Sequence, residues 1–220
     1  MIRNTIIRYE DSRDNTIRIW KISTCETVKT INVGAPVIVV RVFSIEYKKI
    51  ICGKSGSSNN LQIYNYETGD LIRTLIGHTM DVYSIEMLSE QFMASGGVDK
   101  NVIIWDLFSY SIKYTLMGHT ASVRCIKRLS SNLIASGDKN GLIIIWNWLT
   151  GERMFNLTGH TGGLELNSLD LYDDQTLISG SFDKAVKFWN ITNGTLIKTI
   201  NVGMQINALA MLKSSEWKQI

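Results

Sequence analysis

Proline is nearly absent from this chain, with Pro36 the one example in 220 residues, so no proline-rich linker or low-complexity spacer divides it. Cysteine is scarce too. Cys25, Cys52 and Cys125 are an odd number at unrelated spacings, which argues against a disulfide framework and suits reduced thiols. No apolar run reaches about 18 residues and the first residues, Met1 to Asn4, open a polar, charged stretch, so neither a spanning helix nor a secretion leader is expected. The compartment to expect is intracellular, with the cytoplasm as default and the nucleus compatible. Runs of one charge are missing as well. With 23 Lys and Arg against 20 Asp and Glu, a net of +3 and no basic cluster of five or six, no nucleic-acid or membrane footprint is present.

Histidine is the most telling scarcity. The chain has three, and each stands in the same tripeptide, Gly77-His78-Thr79, Gly118-His119-Thr120 and Gly159-His160-Thr161, with both intervals equal. Trp105 and Trp146 follow their histidines at one identical distance, and Trp189 follows His160 at a slightly longer one. The His-to-His interval falls in the range of about 40–45 residues for units that are four-stranded propeller blades. Aligned on the Trp, the units read SRDNTIRIWK, SSNNLQIYNY with Tyr64 in the Trp place, GGVDKNVIIWD, GDKNGLIIIWN and SGSFDKAVKFWN. Short runs rich in Ile, Val and Leu alternate with Gly, Asn, Asp and Ser clusters, which predicts strands of about 4–8 residues joined by turns, and no helix. Apolar runs such as Leu142 to Trp146 suit strands buried on both faces.

On these motifs the chain resembles the WD-repeat β-propeller family from about Ile6 to Leu212. The resemblance implies an all-β fold with about five four-stranded antiparallel blade units in a single array over 1–220: 1–33 (partial), 34–76, 77–117, 118–158, 159–202 and 203–220 (partial). It also implies that in each unit His, a strand Ser, a turn Asp and Trp form a buried hydrogen-bonded chain tying the strands together. The matching residues are His78, Ser95, Asp99 and Trp105, and His160, Ser179, Asp183 and Trp189. One unit has His119, Ser136 and Trp146 with Asn140 at the Asp position and Asp138 two residues early; the first has Asp14 and Trp20 with Glu10 in the Ser place. The 34–76 unit, with Gly34-Ala35 for Gly-His, Tyr64 for Trp and an enlarged loop over Lys54 to Asn60, should have the weakest network.

Ser95, His78 and Asp99 have the residue types of a hydrolase triad, but a constellation copied once per unit reflects something every unit needs, whereas a nucleophile is needed once. Histidines a full repeat apart fall in separate blades and cannot converge on one metal ion. SGGVDK and SGSFDK sit between strands, so no Gly-rich turn opens onto a helix to hold phosphate. Neither metal nor cofactor is expected. The sequons at Asn156, Asn190 and Asn193 are read as turn chemistry.

With strands a to d running outward from the centre, the d–a and b–c connections share one face. Five residues beyond His stand Tyr83 and Arg124, with Asn167 in the same column once two extra residues near Gly162-Gly163 are allowed for. Before the turn Asp stand Arg13, Val98, Lys139 and Phe182. Such a mixture suits a surface that binds proteins or peptides. The leading reading is a non-enzymatic interaction scaffold; the alternatives are an enzyme using the central funnel and, because F-box members of the family place Arg where Arg13 and Arg124 stand, a phosphopeptide-recognising substrate receptor of a ubiquitin ligase. Strand counting gives three strands before Gly34, four full blades closing at Leu196 to Asn201, and one more inner strand at Ile206 to Leu212. The expectation is an incomplete arc of a larger propeller in preference to a closed five-blade ring.

Overall fold

A computed structural model describes residues 5–8, 14–21, 23–44, 48–56, 61–161 and 165–211. Every regular element among them is a strand. The first sheet has three: β1 (Thr5–Arg8), β2 (Thr16–Lys21) and β3 (Glu26–Asn32). Four sheets of four follow. They are β4 (Val37–Ser44), β5 (Lys49–Lys54), β6 (Leu61–Asn65) and β7 (Leu71–Leu75); β8 (Val82–Met87), β9 (Phe92–Gly97), β10 (Val102–Asp106) and β11 (Ser111–Leu116); β12 (Val123–Arg128), β13 (Leu133–Asp138), β14 (Ile143–Asn147) and β15 (Glu152–Leu157); and β16 (Leu166–Asp173), β17 (Thr176–Ser181), β18 (Ala185–Asn190) and β19 (Leu196–Asn201). Each strand pairs antiparallel with its neighbour in sequence, the blade topology of a β-propeller.

The same irregularities recur in every blade. The ladder between the third and fourth strands shifts register at the Trp position, at Trp20, Tyr64, Trp105, Trp146 and Trp189. A bulge there bends the outer strand and increases local twist, and its repetition marks it as part of the fold. The hairpin between second and third strands turns through a positive-φ residue each time it is described: Asn15, Lys100, Gly141 and Lys184.

The chain divides into two compact units, Met1–Met117 and Gly118–Ile220. In the first, Ile51, Leu61, Ile63 and Leu75 pack against Val82, Ile85, Met93 and Trp105 of the following sheet. In the second, Ala135, Ile143, Ile145 and Leu157 pack against Leu166, Leu169, Leu177 and Trp189. β10 and β14 are each buried over four consecutive residues where a sheet with one solvated face would alternate.

The twentieth strand expected at Ile206 to Leu212 is not formed among the described residues, which end at Met211. Residues 205–211 lie along β16 without a ladder: the Leu209 N–H donates to Ser168 Oγ at 2.9 Å and the Met211 N–H to Asp170 Oδ2 at 2.8 Å. Side-chain acceptors replace the second strand that a ladder requires. In the three-stranded sheet β1 stands at the edge, bonded to β2. Of the enlarged 54–60 loop, residues 57–60 lie outside the described set.

Candidate functional site

In three blades one chain of hydrogen bonds crosses the sheet. Trp105 Nε1 donates to Ser95 Oγ (2.7 Å), which meets His78 Nε2 (2.8 Å), while His78 Nδ1 meets Asp99 Oδ2 (2.8 Å). The counterparts are Trp146–Ser136–His119 at 2.8 and 2.6 Å, ending on Asp138 at 3.0 Å, and Trp189–Ser179–His160 at 2.7 and 2.7 Å, ending on Asp183 at 2.8 Å. Proton direction follows from the ends: indole can only donate and carboxylate only accept. The carboxylate end requires a proton on each Nδ1, and the Ser hydroxyl hydrogen is free to point at Nε2. Ser–His–Asp connectivity like this would serve a hydrolase only with an accessible nucleophile. Ser95, Ser136 and Ser179 are 0% exposed, and each Oγ already accepts an indole N–H. Glycine precedes His because a Cβ on Gly77, Gly118 or Gly159 would lie 2.7, 3.2 or 3.0 Å from the far edge of the same Trp.

Asn140, expected at the carboxylate position of the His119 relay, does not fill it. Asp138 takes that place, and Asn140 contributes only its backbone N–H to Asp138 Oδ1 at 2.9 Å. The reason lies at the end of the second strand. A Cβ built on Gly97 would point to within 3.2 Å of His78 Nδ1, so a side chain grown from that register reaches the His directly. Where this residue is Gly97 or Ser181 the turn Asp reaches in; where it is Asp138 the strand supplies the carboxylate.

Asp14 and Trp20 also stand corrected as members of one network. Asp14 accepts from the N–H and Oγ of Thr16 and pairs with Arg18, while the Trp20 indole N–H, buried at its nitrogen, has no acceptor among the described residues. This sheet has no His to link them, and Glu10 lies outside the described residues. In the β4–β7 sheet Tyr64 donates to Gln62 Oε1 at 2.6 Å. Cys52 holds the Ser register there, opposite Gln62 as Ser95 is opposite Ile103, and burial pushes its thiol up to about 12. Cys25, Cys52 and Cys125 are all free thiols. Asn190 Oδ1 and Asn193 Oδ1 accept turn N–H groups from Thr192 and Thr195.

Protonation couples the relays to stability. Burial works to raise the Asp99, Asp138 and Asp183 carboxyls, but hydrogen bonds from His and from backbone N–H groups outweigh it and hold them below their ordinary 3.8. Burial pulls His160 below 6.5 against the opposing pull of Asp183. The unfolded chain therefore takes up the His160 proton first as pH falls through 6.5, and stability declines from there. The depressed carboxyls contribute stability above 3.8 that is lost as pH drops through their folded values. Melting temperatures followed by circular dichroism from pH 8 to 3 should show two declines, and His160→Gln should weaken the first. A single decline confined to below about pH 4 would contradict a neutral buried His160.

On the face of the d–a and b–c loops, the second unit brings several sequence-chosen positions together. Glu165 Oε1 accepts from Arg124 Nη2 at 2.9 Å and lies 3.6 Å from Lys139 Nζ, and the Glu165 carbonyl accepts the Phe182 N–H at 3.0 Å. Asn167 sits half-buried one register beyond Leu166, as Arg124 does beyond Val123. Glu165 was missed because the reading shifted its column past it. The signal that would have found it is an acid just before the inner strand, shared with Asp81, which accepts from Ser55 Oγ and the Gly56 N–H in the first unit. Tyr83 and Val98 are half-buried there, while Ile76 and Met117, each directly before a Gly-His pair, are both 73% exposed. Arg13 lies outside the described residues.

Among the described residues no group of three His, Cys, Asp or Glu could hold a metal ion, and no helix is long and apolar enough to cross a membrane. The chain is similar over 98 residues, at 28% identity, to the anaphase-promoting complex subunit cdh1 of Dictyostelium discoideum, a match covering 44% of this chain and 13% of that protein. It is 40% identical over 62 residues to the periodic tryptophan protein 2 homolog of Schizosaccharomyces pombe, covering 28% of this chain and 7% of the relative, and 24% identical over 101 residues to autophagy-related protein 16 of Arabidopsis thaliana, covering 45% and 19%. The chain thus spans less than a fifth of each of these relatives. The crystal structure of the computationally designed Ika8 protein superposes with a TM-score of 0.81 at 21% identity over 96% of this chain and 63% of that one, a likeness of fold. The model of the WD domain, G-beta repeat, matches residues 69–106, 110–147 and 151–190, more than half of the sequence and each of the three His–Ser–Trp relays in part or whole, so the chain belongs to the WD40 repeat family.

Proposed function

We propose that the protein is a non-enzymatic interaction scaffold that binds partner proteins on the face carrying its d–a and b–c loops. WD40 repeat proteins are in general protein-interaction scaffolds, and the exposed apolar side chains at repeated loop positions carry the reading to this face. Ile76 and Met117 at 73% exposure and Met80 at 49% contribute nothing to the core, and exposed apolar groups in the d–a links are what a partner's surface would cover.

Catalysis in a central funnel is the weaker reading, since two inner-strand charges of the second unit are spent on each other: Lys127 Nζ pairs with Asp170 Oδ1 at 2.7 Å and Asp170 also accepts the Met211 N–H. A phosphopeptide reading is weaker than an apolar one, since Arg124 is already engaged by Glu165. Ile76→Asp combined with Met117→Asp should leave the melting temperature within a few degrees of wild type, as surface changes do, while reducing partner recovery in quantitative affinity purification at least tenfold. Phe108→Ser, an exposed change in a c–d turn, serves as control. Equal recovery by the double variant and the control would remove this face as the interface.

A further inference from the structure

The hairpins between third and fourth strands all turn through one left-handed residue. Gly69, Gly151 and Gly194 stand there at φ 86°, 81° and 73°, and Cys25 holds the place in the first sheet at 56°. In the β10–β11 hairpin the residue is Tyr110, also at φ 56°. A large side chain is strained in that conformation, and strain of this kind persists only where the surroundings hold it, often at sites of function.

Packing does not demand the ring. In two other seams the outer strand of one sheet lies over the turn glycine of the next, with Lys29 Cε 2.9 Å from a Cβ built on Gly69 and Phe155 Cδ1 3.0 Å from one on Gly194. Arg73 holds the same register, opposite Ile63 as Lys29 is opposite Ile19 and Phe155 opposite Ile145. It meets the Tyr110 ring where those two meet glycine, its guanidinium carbon 5.3 Å from the ring centroid. Tyr110 touches the core of the first unit with part of its surface, and exposed Ser109 and Ser111 flank it.

A second cation converges on the same ring. Lys49, at the start of β5, donates from Nζ to the Tyr110 hydroxyl oxygen at 2.9 Å, with that nitrogen 5.6 Å from the Tyr110 centroid and 6.0 Å from the centroid of Phe43. The phenol oxygen thus accepts from Lys49, and its own hydrogen is left to donate. Two acids of the same hairpins are engaged elsewhere: Glu67 pairs with Lys48, and Asp106 accepts the Phe108 and Ser109 N–H groups and Gln91. Arg73 is exposed and Lys49 half-buried, so both cations can be reached from solvent.

We propose that Arg73, Lys49 and Tyr110 form a contact site on the c–d loop side of the first unit for an acidic segment of a partner protein, whose carboxylate takes hydrogen bonds from the guanidinium, the ammonium and the phenol. Charge complementarity names the occupant. Tyr and Arg carry much of the energy of interfaces, and cations already resting on ring faces lose little freedom when an anion arrives. The site lies on the other loop side from the face proposed above, so failure of either reading leaves the other standing.

Anisotropy of a fluorescein-labelled hexaglutamate peptide, titrated with the full chain at low ionic strength, should show saturable binding that weakens as salt is added. Arg73→Glu should weaken it about tenfold and Lys49→Met about threefold, whereas Lys100→Glu, a charge reversal on a b–c turn of the same unit, should cost less than about twofold. Tyr110→Gly gives this seam the residue of its counterparts, and should melt within about 3 °C of wild type while binding about fivefold more weakly. Tyr110→Phe keeps the ring and replaces that variant if it melts early, with about a twofold loss expected from the missing hydroxyl. Absence of saturable binding overturns the proposal, as does equal weakening by Arg73→Glu and Lys100→Glu, or a folded Tyr110 variant that binds like wild type. A hexaphosphoserine peptide that binds where hexaglutamate does not would overturn the choice of occupant.

Discussion

His119→Ala is expected to destabilise the fold by about 3 kcal/mol, more than His78→Ala or His160→Ala at about 2 kcal/mol each. Removing the ring leaves Ser136 without an acceptor and Asp138 without its side-chain donor, and both are 0% exposed, so water cannot compensate. Backbone N–H donors remain on the carboxylate in all three relays, from Thr79, from Asn140 and Leu142, and from Thr161, but the side chains of Asp99 and Asp183 are 5% exposed where that of Asp138 is 0%, so water can soften the loss in the other two. Urea denaturation monitored by tryptophan fluorescence measures the difference. An unchanged midpoint in all three variants would strip the relays of their stabilising role. Asp138→Ala should behave like His119→Ala, and adding Asn140→Asp should not restore it, since the turn is not where this blade draws its carboxylate.

Gly137→Ala should cost about 3 kcal/mol, at the upper end for overpacking by one methyl group. Its Cβ would fall 2.0 Å from Leu166 Cδ2 and 2.9 Å from Cys125 Sγ, and Leu166, at 0% exposure in the core of the second unit, has no free volume to retreat into. Leu166→Ala alone should cost about 2–5 kcal/mol through the cavity it leaves. The combination should cost less than the two effects added, by about 1 kcal/mol or more, because the new methyl occupies part of that cavity. Strict additivity in denaturant melts would mean that the two sites do not meet.

The fold class was legible because repetition is a property of sequence order: His78, His119 and His160 at equal intervals, each with a Trp at a nearly constant distance beyond it, mark a unit before any packing is known. Short strands were legible for the same local reason, and β2 and β19 begin and end where hydrophobic runs meet turn residues. Which atoms complete a relay was not. Asn140 occupies the consensus place, yet the direction of a Cβ at the end of β13 decides that Asp138 reaches His119, and that direction exists only once strand pairing has set the register.

The sequence by itself determined the unit, its length, the number of blades and the donors and acceptors each blade could use, since these depend on residue type and spacing along one chain. Tertiary structure decided what lies between blades. Glu165 joins Arg124 and Lys139 from a strand and a turn of the preceding blade, and Ile200 is 38% exposed in a strand that reads like that of Leu157, which is 1% exposed. Burial depends on the neighbour, and the identity of a neighbour is not encoded in the local pattern of the strand that needs one.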